Sequence, residues 1–67
     1  MSKKNMSRIV ENVISQNDPG YESYGHVTVS VRDTETNEVH SASVDYSPSK
    51  SIGEAQAEAI DEANRKF

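Results

Sequence analysis

Between His26 and Tyr46 the chain reads HVTVSVRDTETNEVHSASVDY, and its first half alternates without a fault. Val27, Val29 and Val31 fall on one side of an extended strand, and His26, Thr28, Ser30 and Arg32 on the other. A helix cannot keep a period of two on one face, so this run commits the middle of the chain to a β-hairpin around which the rest must pack.

The register of that hairpin follows from where its second strand can place apolar side chains. A three-residue loop would set the valines opposite Ser41, Ser43 and Asp45 and waste the core face. A four-residue loop, Thr34 to Asn37, pairs Asp33 with Glu38, Val31 with His40, Val29 with Ala42 and Val27 with Val44. Asn37 suits the last loop position because asparagine tolerates positive φ. The opposite face would carry Thr28, Ser30, Arg32, Ser41, Ser43, Val39 and the cross-strand pair His26 and Asp45.

The flanks read as helices. Met6, Ile9, Val10, Val13 and Ile14 recur at i, i+3, i+4, i+7 and i+8, which predicts a first helix capped by Asn5 and stopped by Gln16-Asn17-Asp18-Pro19-Gly20. After Tyr46, Ser47-Pro48-Ser49-Lys50 breaks the strand, and Ser51-Ile52-Gly53-Glu54 matches a capping box. A second helix is expected from there to the C-terminus, with Ile52, Ala55, Ala59, Ile60, Ala63 and Phe67 on its apolar face and Gln56 among them. Residues 17–25 connect helix to sheet, either as a short third strand near 21–25 or as a loop whose Tyr21 and Tyr24 cover the open side of the core. The fold class is thus α+β, an αββα chain whose hairpin packs against an N-terminal and a C-terminal helix. The 67 residues make one domain, with residues 1–4 expected to be disordered.

Composition narrows the function. The chain has no cysteine, so neither a disulfide nor a thiolate metal site is available. No apolar run reaches the roughly 18 to 20 residues of a membrane span, and the N-terminus lacks the apolar core of a secretory signal, so a cytoplasmic protein is expected. His26 and His40 fall on opposite faces of the hairpin and cannot share a metal. The three glycines, at 20, 25 and 53, build no phosphate loop, and no serine stands in a nucleophile-elbow motif. Catalytic residues, metal ligands and cofactors are therefore expected to be none.

The net charge of −4 is carried mainly by the hairpin and the second helix. An acidic surface repels phosphate, which favours a protein partner over nucleic acid. The first functional expectation is a small acidic, non-enzymatic interaction module, of the kind mobile elements and phages use as regulators or inhibitors. Glu54, Glu58 and Asp61, with Tyr21 and Tyr24, would meet a basic partner surface. A two-stranded sheet leaves both edges open, so a homodimer is expected, through an edge or through the alanine face of the second helix around Gln56. The alternative is a nucleic-acid binder using Lys3, Lys4, Arg8, Arg32 and Lys50.

That alternative has a layout behind it. A helix, the segment Pro19-Gly20-Tyr21, Gly25-His26, a valine-alternating strand, a further strand, and Ser49-Lys50-Ser51 leading into an alanine-rich helix are together loosely similar to the double-stranded-RNA-binding domain. The resemblance implies RNA contacts at Glu11 and Asn12, at Gly25 and His26, and at Lys50. Lys50 stands alone where that family carries several basic residues, and Glu54 follows it, so the likeness is one of layout and no membership is drawn from it.

Overall fold

The computed structural model describes residues 7–67. It contains one antiparallel sheet of three strands, β1 (Arg8–Asn17), β2 (Gly25–Asp33) and β3 (Val39–Tyr46), in the order β1-β2-β3, followed by a helix, α1 (Ile52–Arg65). The architecture is βββα. The expected first helix is a strand, so the two-helix αββα packing is corrected, and with it the helix-first layout on which the resemblance to the double-stranded-RNA-binding domain rested. The third strand is this one and not a segment near 21–25.

The reason lies in a β-bulge. β1 pairs with β2 as Ile9↔Arg32, Val10↔Val31, Asn12↔Ser30, Val13↔Val29 and Ile14↔Thr28, with the register shifting between Val10 and Asn12. The extra residue, Glu11, resets the alternation, so the spacing of two aliphatic pairs around two polar residues fits a bulged strand as well as a helical face. Val10 and Val13 share the face of Val31 and Val29, whereas Ile9 and Ile14 lie on the other. β-Branched side chains are at ease in a strand and stiff in a helix, and they decide between the two. Asn5 and Met6, the proposed cap and first helical contact, lie outside the described residues, as do residues 1–4.

The hairpin follows the four-residue loop. Val31 faces His40, Val29 faces Ala42 and Val27 faces Val44. Asp33 N–H donates to Glu38 O at 2.9 Å, and Asn37 takes φ 66°. The β1–β2 connection, residues 18–24, opens with a tight turn, Asp18-Pro19-Gly20-Tyr21, in which Tyr21 N–H donates to Asp18 O at 3.1 Å and Gly20 has φ 83°. Proline followed by glycine fits a type II turn. The sequence that was to stop a helix reverses a strand instead.

α1 lies across one face of the sheet, over β2 and β3. Ala55, Ala59 and Ala63 are fully buried, as are Val27, Val29 and Val31, with Ala42 and Tyr46 completing the core and Val44, Ile60 and Phe67 partly buried against it. Alanines at i, i+4 and i+8 give the helix a flat side, which lets its axis approach branched valines closely. Beyond the helix proper, Phe67 is held between two strands: the Arg8 guanidinium stands 4.5 Å over its ring, and His40 meets it edge-on at 4.6 Å. Arg8 Nη1 also donates to Asn64 O at 3.1 Å, tying β1 to the end of α1.

The capping box is formed. Ser51 Oγ accepts from Glu54 N–H at 3.1 Å, and Glu54 Oε1 accepts from Ser51 N–H at 3.0 Å. Ser51→Ala removes one half of this exchange and is expected to cost about 1 kcal/mol, read as a lower urea midpoint at unchanged slope.

Candidate functional site

Each residue singled out in the sequence has a definite place. Glu54 holds the helix cap. Glu58 Oε1 accepts from Lys50 Nζ at 2.7 Å, a bond that raises the Lys50 pKa above its ordinary value, and Asp61 Oδ2 accepts from Arg65 Nη2 at 2.7 Å. All three carboxylates of the expected acidic face thus have partners within the chain. Exposed ion pairs of this kind contribute little stability, yet a carboxylate already neutralised attracts a basic partner less strongly.

Tyr21 and Tyr24 do not cover the core. They are 62% and 47% exposed and pack on each other edge-to-face, with ring centroids 5.8 Å apart. The loop that carries them is fixed by its own hydrogen bonds: Asn17 Nδ2 donates to Glu22 O at 2.7 Å, and Asp18 N–H to Tyr24 O at 2.9 Å. Tyr21 lines one open depression with Asn17, Asp18, Gly20 and Glu22, and both rings line a second with Asp18.

The described cations do not converge. Arg8 is directed toward Asn64 and Phe67, Arg32 is paired with Glu11 on the opposite face of the sheet, and Lys50 is paired with Glu58 at the start of the helix. Lys3 and Lys4 lie outside the described residues. His26 sits opposite Asp45 in the strand register, but its Nδ1 is nearer Asp18, at 3.9 Å from Oδ1. His40 Nε2 lies 2.9 Å from Glu38 Oε2. Among the described residues no three histidine or acidic side chains are grouped to hold a metal.

What the sequence reading missed is the surface of β1. Ile9, Val10, Val13 and Ile14 are between 41% and 52% exposed, four aliphatic side chains within six residues of one strand. Isolated exposed aliphatics are ordinary, but a cluster on a ten-residue edge strand is not. Val10 and Val13 extend the valine rows of β2 outward, onto the strand that α1 touches least. Ile9 and Ile14 flank the wet outer face, where Thr28 bonds Ser43 at 2.7 Å and Ser30 bonds Ser41 at 2.9 Å between hydroxyls.

The backbone of β1 is equally open. The Asp33 to Glu38 bond makes the odd-numbered residues of β2 the ones that bond β3, because bonded and non-bonded pairs alternate along an antiparallel ladder. Its even-numbered residues therefore bond β1, in keeping with the 2.8 Å bond from Thr34 N–H to Ser7 O. They engage Ile9, the bulge, Ile14 and Gln16. The peptide groups of Arg8, Val10, Val13 and Ser15 point outward, where no described strand meets them. The sequence signal for this surface was present in the β-branched content of Ile9 to Ile14, which favours a strand over a helix.

No helix among the described residues is long and apolar enough to cross a membrane. No family model matches the chain, and neither a curated protein nor a solved structure is significantly similar to it.

Proposed function

We propose that this protein is a non-enzymatic protein-interaction module that works through the free edge of β1, pairing it with an extended segment of protein. The observation that carries the reading is the coincidence on one strand of peptide groups that no described strand meets and four exposed aliphatic side chains. An incoming strand would gain main-chain hydrogen bonds from Arg8, Val10, Val13 and Ser15, and apolar contacts on both faces of the sheet. Self-association through an edge falls under the same reading. The acidic face of α1 is the weaker candidate, because Glu54, Glu58 and Asp61 are engaged within the chain.

The test is affinity capture from the native host alongside a solution measurement of mass, with three chains compared. Val10→Lys/Val13→Lys places two charges beside the free edge and is expected to abolish association. Glu58→Arg/Asp61→Arg reverses the helix face and is expected to leave association intact. The opposite pattern moves the interaction to α1. Absence of any association, with itself or with another protein, overturns the reading.

A further inference from the structure

We infer that the segment seated on β1 is β1 of a second copy, antiparallel, with the two-fold axis passing between Glu11 and Asn12. The inference rests on the reading of β1 as an interaction edge and names its occupant and register.

The run Ile9-Val10-Glu11-Asn12-Val13-Ile14 has mirrored aliphatic order about its own centre. In an antiparallel pair about that centre, Val10 stands opposite Val13 of the second copy, Ile9 opposite Ile14, Arg8 opposite Ser15 and Glu11 opposite Asn12. Directly opposed residues must lie on the same face of the joined sheet. Without a bulge this register would fail, since residues 9 and 14, or 10 and 13, would point to opposite faces of a regular strand. The bulge between Val10 and Asn12 restores the match: Val10 and Val13 both follow the face of Val31 and Val29, and Ile9 and Ile14 both follow the face of Arg32 and Thr28. Every opposed aliphatic pair therefore meets its like.

Hydrogen bonding selects the same register independently. The outward peptide groups belong to Arg8, Val10, Val13 and Ser15, and the register opposes Val10 to Val13 and Arg8 to Ser15. Outward groups thus meet outward groups, as bonded pairs, while Ile9 and Ile14 form the closer non-bonded pair. A shift by one residue in either direction breaks both matches at once. Charge is compatible too: Glu11, held by Arg32 of its own copy, faces the neutral amide of Asn12 and no second carboxylate.

The product is one continuous antiparallel sheet, three strands from each copy, with both helices on the same face. The contact is isologous and closes on itself, because each β1 has one edge that no described strand covers. A contact confined to one strand edge falls at the small end of specific interfaces.

The chain has no cysteine, which permits a direct test. Ile9→Cys and Ile14→Cys are made separately. Within one chain the two positions are about 16 Å apart along the strand, and about the two-fold neither lies near its own counterpart, so neither variant forms a disulfide alone. Mixed under mild oxidation they are expected to form a heterodisulfide as the main product, since non-bonded antiparallel pairs hold their Cα atoms about 4.5 Å apart. Sedimentation of the wild-type chain is expected to show its mass doubling as concentration rises through the micromolar range. A dimer in which the mixture fails to cross-link, or either variant cross-links with itself, overturns the register. A wild-type chain that stays monomeric overturns the second copy, and if it still captures another protein through β1 the edge reading stands without it.

Discussion

Gly25→Ala is expected to remove most of the stability of this chain. Gly25 begins β2 opposite Tyr46 on one side and Asn17 on the other, with its missing side chain aimed into the buried face. A Cβ there would lie 2.5 Å from Tyr46 Oη and closer still to the carbonyl oxygen of Gln16. The ring could swing only by leaving a core in which Tyr46 is buried, and the carbonyl belongs to the β1–β2 ladder. Overpacking typically costs about 1–3 kcal/mol, and two rigid neighbours put this substitution at the upper end. A single core of this size supplies on the order of 3–5 kcal/mol in all, so the urea midpoint should fall steeply at fixed protein concentration. Gly20→Ala is the comparison: φ 83° strains the backbone there but nothing lies within 4 Å, and a loss of about 1 kcal/mol is expected. Adding Tyr46→Leu to Gly25→Ala should recover only part of the loss, since the carbonyl remains. A Gly25→Ala chain within about 0.5 kcal/mol of wild type would show that the close approach is not rigid.

The same residue shows where sequence reading runs out. Nothing in the residues around Gly25 marks its constraint, and only the meeting of Tyr46, more than twenty residues later, with the Gln16 carbonyl explains why no side chain fits. Features fixed by local chemistry were legible: the alternation of Val27, Val29 and Val31, the loop ending at Asn37, and the cap at Ser51 with Glu54. β1 was not, because a bulge is set by the neighbouring strand. Ile9, Val10, Val13 and Ile14 satisfy a helical period and a bulged strand equally, and periodicity alone cannot separate them. Reading that strand as a helix also hid its surface. Four side chains counted as core proved to be the exposed edge, while the carboxylates assigned to a partner were already bonded to Ser51, Lys50 and Arg65. Residues 21–25 stayed open between strand and loop for a different reason, since two tyrosines in a short segment can equally well pack on each other or on the core.

The second large effect is expected at Ala59, the middle of the three buried alanines. Ala55, Ala59 and Ala63 oppose Val27, Val29 and Val31 with no residue of either row exposed, so the separation of helix and sheet is set by a methyl group meeting a branched side chain. A leucine at 59 adds three carbons to an interior packed at crystal-like density. The helix must lift from the sheet, which exposes the flanking alanines and loosens the Arg8 and Phe67 contacts at its end. A loss of about 2–3 kcal/mol is expected in urea unfolding, net of the apolar area gained. Ala57→Leu, on the exposed side of the same helix, keeps helix propensity nearly unchanged and should stay within about 0.5 kcal/mol of wild type. Val29→Ala alone opens a cavity and is also destabilising, by about 1–3 kcal/mol. Combined with Ala59→Leu it returns volume where volume was added, so the double variant should be more stable than the sum of the two losses by at least about 1 kcal/mol. Simple additivity would mean that the helix does not rest on the central valine. The close fit of small residues on branched ones, which holds α1 to the sheet and leaves β1 uncovered, would then need a different origin.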